Sequence, residues 1–216
     1  MKRIMSVAVL CLFVAVSAVE ADFSSSVQHA LTGPGTTRAP LDYKGQLTSS
    51  LVMGNTEANT GQLFFEKSSV ITGSDLNLTL GGSVPVGTSV NSYILHFDPI
   101  GRSSVPVWEF HETITFDETV LGVIFDTASV PNQLAASDGI LGIGAGYYES
   151  SSYHRKFEDN QDIWIDVAVL GNSVTFDLFT NSSMDEARIV TVPVPGAILL
   201  GMLGLSVVGV KLRKHA

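Results

Sequence analysis

Short runs of β-branched, aromatic and other apolar residues recur through the middle of this chain, separated by Gly, Asn, Asp and Ser. Clear examples are residues 62–66, 76–80, 92–97 and 121–126. Runs of this length between turn-forming residues are typical of strands, and no stretch keeps a helical period for three turns. The pattern therefore predicts an all-β fold, and we expect a β-sandwich that is jelly-roll-like in topology.

One β-hairpin can be predicted in detail, over residues 162–181. Apolar and polar residues alternate along both halves, and Gly171-Asn172 at the centre is a favoured two-residue turn. Counting outward from this turn places Val167 opposite Phe176, on a nearly apolar face. We expect that face to join the core, since alternate residues of a strand point to opposite sides of the sheet.

The other face of this hairpin carries a candidate metal site. Asp166 lies opposite Asp177 in the predicted register. Directly opposed carboxylates repel each other unless solvent screens them or a cation lies between them. This motivates a calcium-binding hypothesis. The simpler alternative is an exposed, solvated pair, because calcium needs about 6 to 8 oxygen ligands.

An aromatic pair beside these carboxylates is a candidate ligand-binding surface. Trp164 lies opposite Phe179 in the predicted register, and a sugar ring could stack on the two rings. Asp162, at the end of the same face, could then accept hydrogen bonds from sugar hydroxyls. The alternative is that another loop covers the rings and makes a small second core, as such pairs commonly do.

A third cluster of ionisable residues lies in the segment from Glu109 to Glu112. On a strand, Glu109 and His111 share one face, whereas Glu112 falls on the apolar face with Phe110. Two ligands on one face make an incomplete zinc site, so we interpret Glu109 and His111 as the polar side of a strand. Hydrolase and metalloprotease motifs are absent from the sequence. We therefore expect that the protein is not an enzyme.

The N-terminus has the layout of a secretory signal peptide over residues 1–21. Lys2 and Arg3 precede an apolar run at 4–19, and small residues follow. Cleavage after Ala21 is the first choice, cleavage after Ala18 is the alternative, and a retained N-terminal anchor is a further one. Either cleavage removes the single cysteine, Cys11, so the mature chain would be stable without disulfides.

The C-terminus has the layout of a membrane-associated segment. Residues 196–210 are free of charge and are followed by Lys211, Arg213 and Lys214. A spanning helix usually needs about 20 residues, and the apolar residues among 192–195 extend the run. We expect a transmembrane helix whose basic end stays in the cytoplasm. The alternative is a buried final element of the domain.

The tail resembles the PEP-CTERM sorting signal, found on exported proteins of Gram-negative bacteria that make extracellular polysaccharide. The matching residues are Pro193, Val194, Pro195 and Gly196, followed by the apolar run and the basic end. The family has Glu where this chain has Val194. The resemblance implies recognition and cleavage by an exosortase-type membrane enzyme. Residues 90–99, 115–125, 136–141 and 185–190 also resemble segments of uncharacterised PEP-CTERM proteins, which implies an exported β-rich domain.

These observations predict four regions and an exported location. They are a signal peptide at 1–21, a flexible segment at 22–44, a β-sandwich domain at 45–190 and the sorting tail at 192–216. Residues 22–190 contain 7 basic and 20 acidic residues, a net charge of −13, which argues against a nucleic-acid partner.

We expect a structural or adhesive protein of the cell surface or extracellular matrix, associated with polysaccharide and located in the periplasm, at the surface or outside the cell. A carbohydrate-binding module is the alternative. A glycan-active enzyme is the third hypothesis, and it would need two carboxylates in one cleft.

Overall fold

The computed structural model describes residues 23–30, 36–52, 58–100, 107–127, 131–144, 146–149, 155, 165–180 and 184–193. Strands dominate these residues, so the all-β prediction is confirmed. They form two five-stranded sheets and a short ribbon. The front sheet contains β1 (Phe23–Gln28), β2 (Thr36–Arg38), β8 (Val107–Phe116), β10 (Ile165–Leu170) and β11 (Ser173–Thr180).

The back sheet has the strand order β3-β4-β7-β12-β9. Its strands are β3 (Leu41–Gln46), β4 (Gly61–Ile71), β7 (Ser89–Phe97), β9 (Thr119–Ile124) and β12 (Asp185–Val192). The ribbon pairs β5 (Leu76–Asn77) with β6 (Ser83–Val84), and the one helix of the described residues is α1 (Gln133–Leu141). In the front sheet the order is β1-β8-β11-β10, and β2 also pairs with β8.

The main core lies between the two sheets. Aromatic side chains meet across it: the ring centroids of Tyr93 on β7 and Phe116 on β8 are 4.8 Å apart, and those of Phe97 and Phe110 are 6.0 Å apart. All four side chains are fully buried. Burying aromatic rings of this size dominates the stability of such an interface, so these contacts hold the sheets face to face.

The back sheet is covered on both faces. Along β7 and β12, alternate residues point to the main core, and the residues between them are buried beneath α1 and the segment that follows it. Leu134 and Leu141 of α1 pack there against Ile124 and Val190. This second layer explains why both strands are buried almost throughout, the pattern expected of strands with two covered faces.

The expected hairpin is confirmed, with the predicted register. Val167 pairs with Phe176, and the turn lies at Gly171 and Asn172. Gly171 has a φ of 63°, a left-handed conformation that glycine adopts without steric cost. Phe176 is fully buried, and Val167 packs against the main core.

The sequence predicts a flexible segment at 22–44, and the described residues of this segment form β1, β2 and the first part of β3. β1 and β2 share one edge of β8, and β3 pairs with β4. Phe23 and Tyr43 supply apolar anchors, with ring centroids 5.1 Å apart. Backbone hydrogen bonds do not depend on side-chain type, so a Ser/Thr-rich segment can extend a sheet when a few such anchors hold it in place.

One end of the sandwich, here called the base, gathers both ends of the described chain. Phe23 lies opposite Phe116, and Val192 lies opposite Thr119. The β8–β9 turn crosses from the front sheet to the back sheet between Phe116 and Thr119. The hairpin turn reaches the same end, since the Phe116 N–H donates to the Asn172 carbonyl at 2.9 Å.

Among the described residues, no helix is long and apolar enough to cross a membrane. The signal peptide predicted at 1–21 and the apolar run at 196–210 lie outside the described residues.

Candidate functional site

The outer face of the front sheet brings predicted site residues into one row. Asp166 on β10 lies opposite Asp177 on β11, as the sequence predicts. Asp177 in turn lies opposite His111 on β8. The sheet therefore places a histidine from a distant part of the chain beside the predicted carboxylate pair, a relationship that no local sequence pattern contains.

Glu109, His111 and Asp177 form a compact group of potential metal ligands. Their ligating atoms all lie within 4.8 Å of one another. The His111 Nδ1 is 3.8 Å from the Glu109 Oε1 and 4.0 Å from the Asp177 Oδ1. Glu109 is fully buried, although the sequence places it on a polar face. Carboxylates together with an imidazole suit zinc or a similar transition metal better than calcium.

A hydrogen bond competes with metal binding at this group. The His111 Nδ1 lies 3.1 Å from the Ala30 carbonyl oxygen, and a metal on this nitrogen would have to displace that contact. Without a metal, the His111 Nδ1 is hydrogen-bonded to the Ala30 carbonyl, and its distances of 3.8 and 4.0 Å to the two carboxylates are too long for hydrogen bonds. The calcium hypothesis for Asp166 and Asp177 stays a prediction.

Hydroxyl groups continue the polar face towards the base. Thr113 and Thr175 are hydrogen-bonded across β8 and β11 at 2.7 Å, and Thr115 and Ser173 at 3.0 Å. The His29 Nε2 also lies 2.7 Å from the Thr113 Oγ1. Such a strip of hydroxyls and imidazoles can donate and accept hydrogen bonds, as recognition of a sugar requires.

The remaining predicted site residues are only partly described. Phe179 lies opposite Glu109 in the sheet register, whereas Trp164 and Asp162 lie outside the described residues. Pro193 directly follows β12, and Val194, Pro195 and Gly196 lie outside the described residues. The aromatic platform and the sorting motif stay predictions.

A buried charge network, absent from the sequence-based expectations, lies on the other side of the molecule between the back sheet and α1. It consists of Glu66, His96, Asp138, Tyr148, Arg155, Glu186 and Arg188.

Arg188 on β12 is the centre of this network. Its guanidinium donates to both oxygens of Glu66, at 2.7 and 2.8 Å, and to the Asp138 Oδ1 at 2.9 Å. It also donates to the Ser137 hydroxyl. Burial by itself would lower the pKa of Arg188, but Glu66 and Asp138 outweigh burial and raise the pKa above its ordinary value. Arg188 is therefore a permanent buried cation that ties β12 to β4 and α1.

Arg155 makes a second guanidinium contact with the same helix residue. It donates to the Glu186 Oε2 at 2.5 Å and to Asp138 at 2.7 and 3.2 Å. The His96 Nδ1 lies 3.0 Å from the other oxygen of Glu186. Burial alone would raise the pKa of Glu186, but Arg155 and His96 hold that pKa below its ordinary value.

Tyr148 completes the network from the segment after α1. Its hydroxyl donates to the Glu66 Oε1 at 2.5 Å and accepts the Ile143 N–H at 3.1 Å. The guanidinium carbons of Arg155 and Arg188 lie 5.1 and 5.3 Å from the centre of its ring, within the range of cation–π attraction. Burial and the Glu66 carboxylate raise the pKa of Tyr148, so its hydroxyl stays protonated at physiological pH.

A surface cleft of about 540 Å³ opens beside the network. Asp138 and Tyr148 line it together with Lys67, whose Nζ lies 3.4 Å from the Gly142 carbonyl oxygen. The Asp138 side chain is 20% exposed. Because both of its oxygens accept hydrogen bonds from guanidinium groups, Asp138 is fixed in orientation. The arrangement is best explained as an anchor for α1 and the following segment.

The sequence contains one signal for this network. Glu186 and Arg188 share one face of β12 with the apolar Val190, and a charge on a covered face needs a buried partner. The identity of the partners is not encoded locally, since Glu66 and Arg188 are 122 residues apart.

Comparison with known protein families, with curated proteins and with solved structures found no match.

Proposed function

We propose that this chain is an exported protein of the PEP-CTERM type, sorted through residues 192–216 and held or processed at the membrane by an exosortase-type enzyme. The sandwich then serves as a structural or adhesive component of the cell surface or extracellular matrix. One observation carries the proposal: β12 ends at Val192, directly before the Pro193 of the sorting-like motif. The folded domain and the tail therefore adjoin without an extended linker.

The chain ends also suit display of the domain. Phe23 follows the predicted signal peptide and Val192 precedes the tail, and both lie at the base. A domain attached through its base presents its opposite end away from the membrane and leaves the polar outer face of the front sheet accessible at its side. The mature chain would contain no cysteine, and the two-layered core and buried charge network support stability without disulfides outside the cell.

The jelly-roll-like topology and the C-terminal transmembrane helix belong to this proposal. The position of β12 favours such a topology. β12 follows the front-sheet hairpin in the chain, but it inserts between β7 and β9 of the back sheet. A late strand that returns beside much earlier ones is a feature of Greek-key folds.

Intact-mass measurement of the protein from membrane and extracellular fractions tests both ends at once. The host must contain an exosortase-type enzyme. A chain that starts at Asp22 and has lost the apolar run and basic end supports the proposal. Retention of the N-terminal residues with a cytoplasmic location contradicts it.

Val194→Glu is the matched variant for the processing step. It restores the family's Pro-Glu-Pro pattern, so we expect a larger processed fraction than in the natural sequence. Pro193→Ala should have the opposite effect. If both variants are processed to the same extent as the natural chain, the motif does not direct sorting.

Carbohydrate binding on the outer face of the front sheet is the second candidate function. The hydroxyl strip and the group formed by Glu109, His111 and Asp177 favour it, since a bound cation could also engage sugar hydroxyls. Glycan-array binding should fall in Trp164→Ala. If a cation takes part, chelation and Asp177→Asn should also reduce binding. Unchanged binding in Trp164→Ala would remove the aromatic platform from consideration.

A further inference from the structure

The base carries exposed aliphatic side chains. Ile71, Val86 and Leu170 are 62%, 60% and 83% exposed. They are three of the five large apolar side chains that are strongly exposed among the described residues. Single exposed apolar residues are ordinary on protein surfaces. The feature that needs an explanation is that these three residues lie at the same end of the sandwich.

Strand register places these residues at one end. Ile71 ends β4 and lies opposite Ser89, where β7 begins beside the end of β12. Leu170 ends β10 and lies opposite Ser173, which pairs with Thr115 near the end of β8.

Val86 belongs to the loop that leads into β7. Its N–H donates to the Asp75 Oδ1 at 2.9 Å, and the following Gly87 N–H donates to the Thr72 carbonyl. These bonds hold the loop beside the end of β4. All three aliphatic residues therefore lie around the point where the chain leaves the sandwich.

The distance from the base to the apolar tail is short. Only residues 193–195 separate Val192 from the charge-free run that begins at Gly196. Four peptide steps span at most about 14 Å. The polar layer of a bilayer leaflet is about 5 to 8 Å thick. A tail inserted at Gly196 therefore keeps the base next to the lipid headgroups.

We propose that the base is a membrane-contact surface, in which Ile71, Val86 and Leu170 enter the headgroup layer of a bilayer while the tail is uncut. This inference rests on the proposed membrane insertion of the tail. It fixes the orientation of the domain, with the base on the lipid and Ile100 at the opposite end, directed away from it.

The charge of the base determines which lipids fit. Asp75 and Asp117 are exposed there, and the described residues of the base include no Lys or Arg. Basic residues attract proteins to anionic lipids, so this contact must be apolar. We expect neutral lipids to support it at least as well as anionic ones.

Site-specific fluorescent labelling of protein that has lost the signal peptide but keeps its C-terminal tail tests the proposal. The predicted signal-peptide cleavage removes Cys11, so Leu170→Cys and Val86→Cys each introduce a single labelling site. Ile100→Cys is the matched control, because Ile100 is similarly exposed at the opposite end. The chain is reconstituted in phosphatidylcholine vesicles that contain spin-labelled lipids. We expect fluorescence quenching at positions 86 and 170 to be at least threefold greater than at position 100.

Flotation of the same vesicles distinguishes failure of the membrane-contact surface from failure of tail insertion. Equal quenching at positions 100 and 170 in protein that floats with the vesicles would overturn the contact surface and leave tail insertion intact. Failure of the uncut chain to float would overturn both. A gain in quenching at position 170 on adding anionic lipid would contradict the apolar nature of the contact.

Discussion

Arg188 and Glu66 are joined by two hydrogen bonds, of 2.7 and 2.8 Å, between side chains that are both fully removed from solvent. The planar guanidinium matches the two carboxylate oxygens, a geometry that strengthens such pairs. Removing two charges from water is costly, and the contacts to Asp138 and Ser137 offset that cost. The pair therefore connects the middle of the back sheet to α1.

Replacing Arg188 should be strongly destabilising. Arg188→Met leaves Glu66 and part of Asp138 without their cation in the interior, and breaking a buried pair in this way costs about 3 to 5 kcal/mol. Urea unfolding followed by circular dichroism measures the loss. The free energy of unfolding of Arg188→Lys should lie between those of Arg188→Met and the natural protein, because a lysine keeps the charge but cannot form the bidentate contact with Glu66.

An exposed ion pair provides the control for this substitution. Lys44 and Asp42 form a salt bridge with side chains about two-fifths exposed, and such pairs contribute at most about 1 kcal/mol. Lys44→Met should therefore change the free energy of unfolding by less than that amount. A loss in Arg188→Met as small as the loss in Lys44→Met would show that the buried network contributes little to stability.

Stability should fall in acid partly through Glu186. The pKa of Glu186 is lowered in the folded protein, so the ionised form stabilises the fold. This contribution is complete above the unfolded pKa of about 4.3, and it is lost as the pH falls towards the folded pKa. Glu186→Gln should be less stable at pH 7 and should lose less stability below pH 4.3. Parallel pH profiles for both proteins would contradict this assignment.

Tyr148 should have the opposite pH dependence. Its raised pKa favours the neutral hydroxyl in the folded protein. The stabilisation is complete below the unfolded pKa of about 10 and declines as the pH rises above it. Tyr148→Phe keeps the ring but loses the hydrogen bond to Glu66, at a cost of about 1 to 3 kcal/mol at pH 8. Unfolding at pH 8 and pH 10.5 should show a smaller difference between the two proteins at the higher pH. An unchanged difference would mean that Tyr148 titrates normally.

The features predicted correctly from sequence are those with local causes. The hairpin register follows from one turn and from alternation on either side of it, so Val167 and Phe176 could be paired without knowing the rest of the fold. The same alternation places Glu112 on the apolar face, and Glu112 is buried, with its Oε1 accepting the Leu41 N–H at 3.1 Å.

The features that sequence did not predict depend on distant partners. α1 buries Leu134, Ser137 and Leu141, and the serine among them weakens the apolar period that would indicate a helix. Glu109 is buried by tertiary packing, although alternation assigns it to a polar face. His111 meets Asp177 only because β8 and β11 are neighbours in the sheet.

Two glycines give a matched test of local packing. Gly122 on β9 lies against the backbone at Leu80. A Cβ added at Gly122 would collide with the Leu80 carbonyl oxygen and lie 2.6 Å from Leu78 Cδ1. Gly139 in α1 has open space around the same position. Gly122→Ala should destabilise the protein by about 1 to 3 kcal/mol, as overpacking does. Gly139→Ala should stabilise it by up to about 1 kcal/mol, because alanine favours the helix.

Thermal unfolding of both variants measures the contrast. Destabilisation by Gly139→Ala would show that α1 needs glycine for a reason other than space.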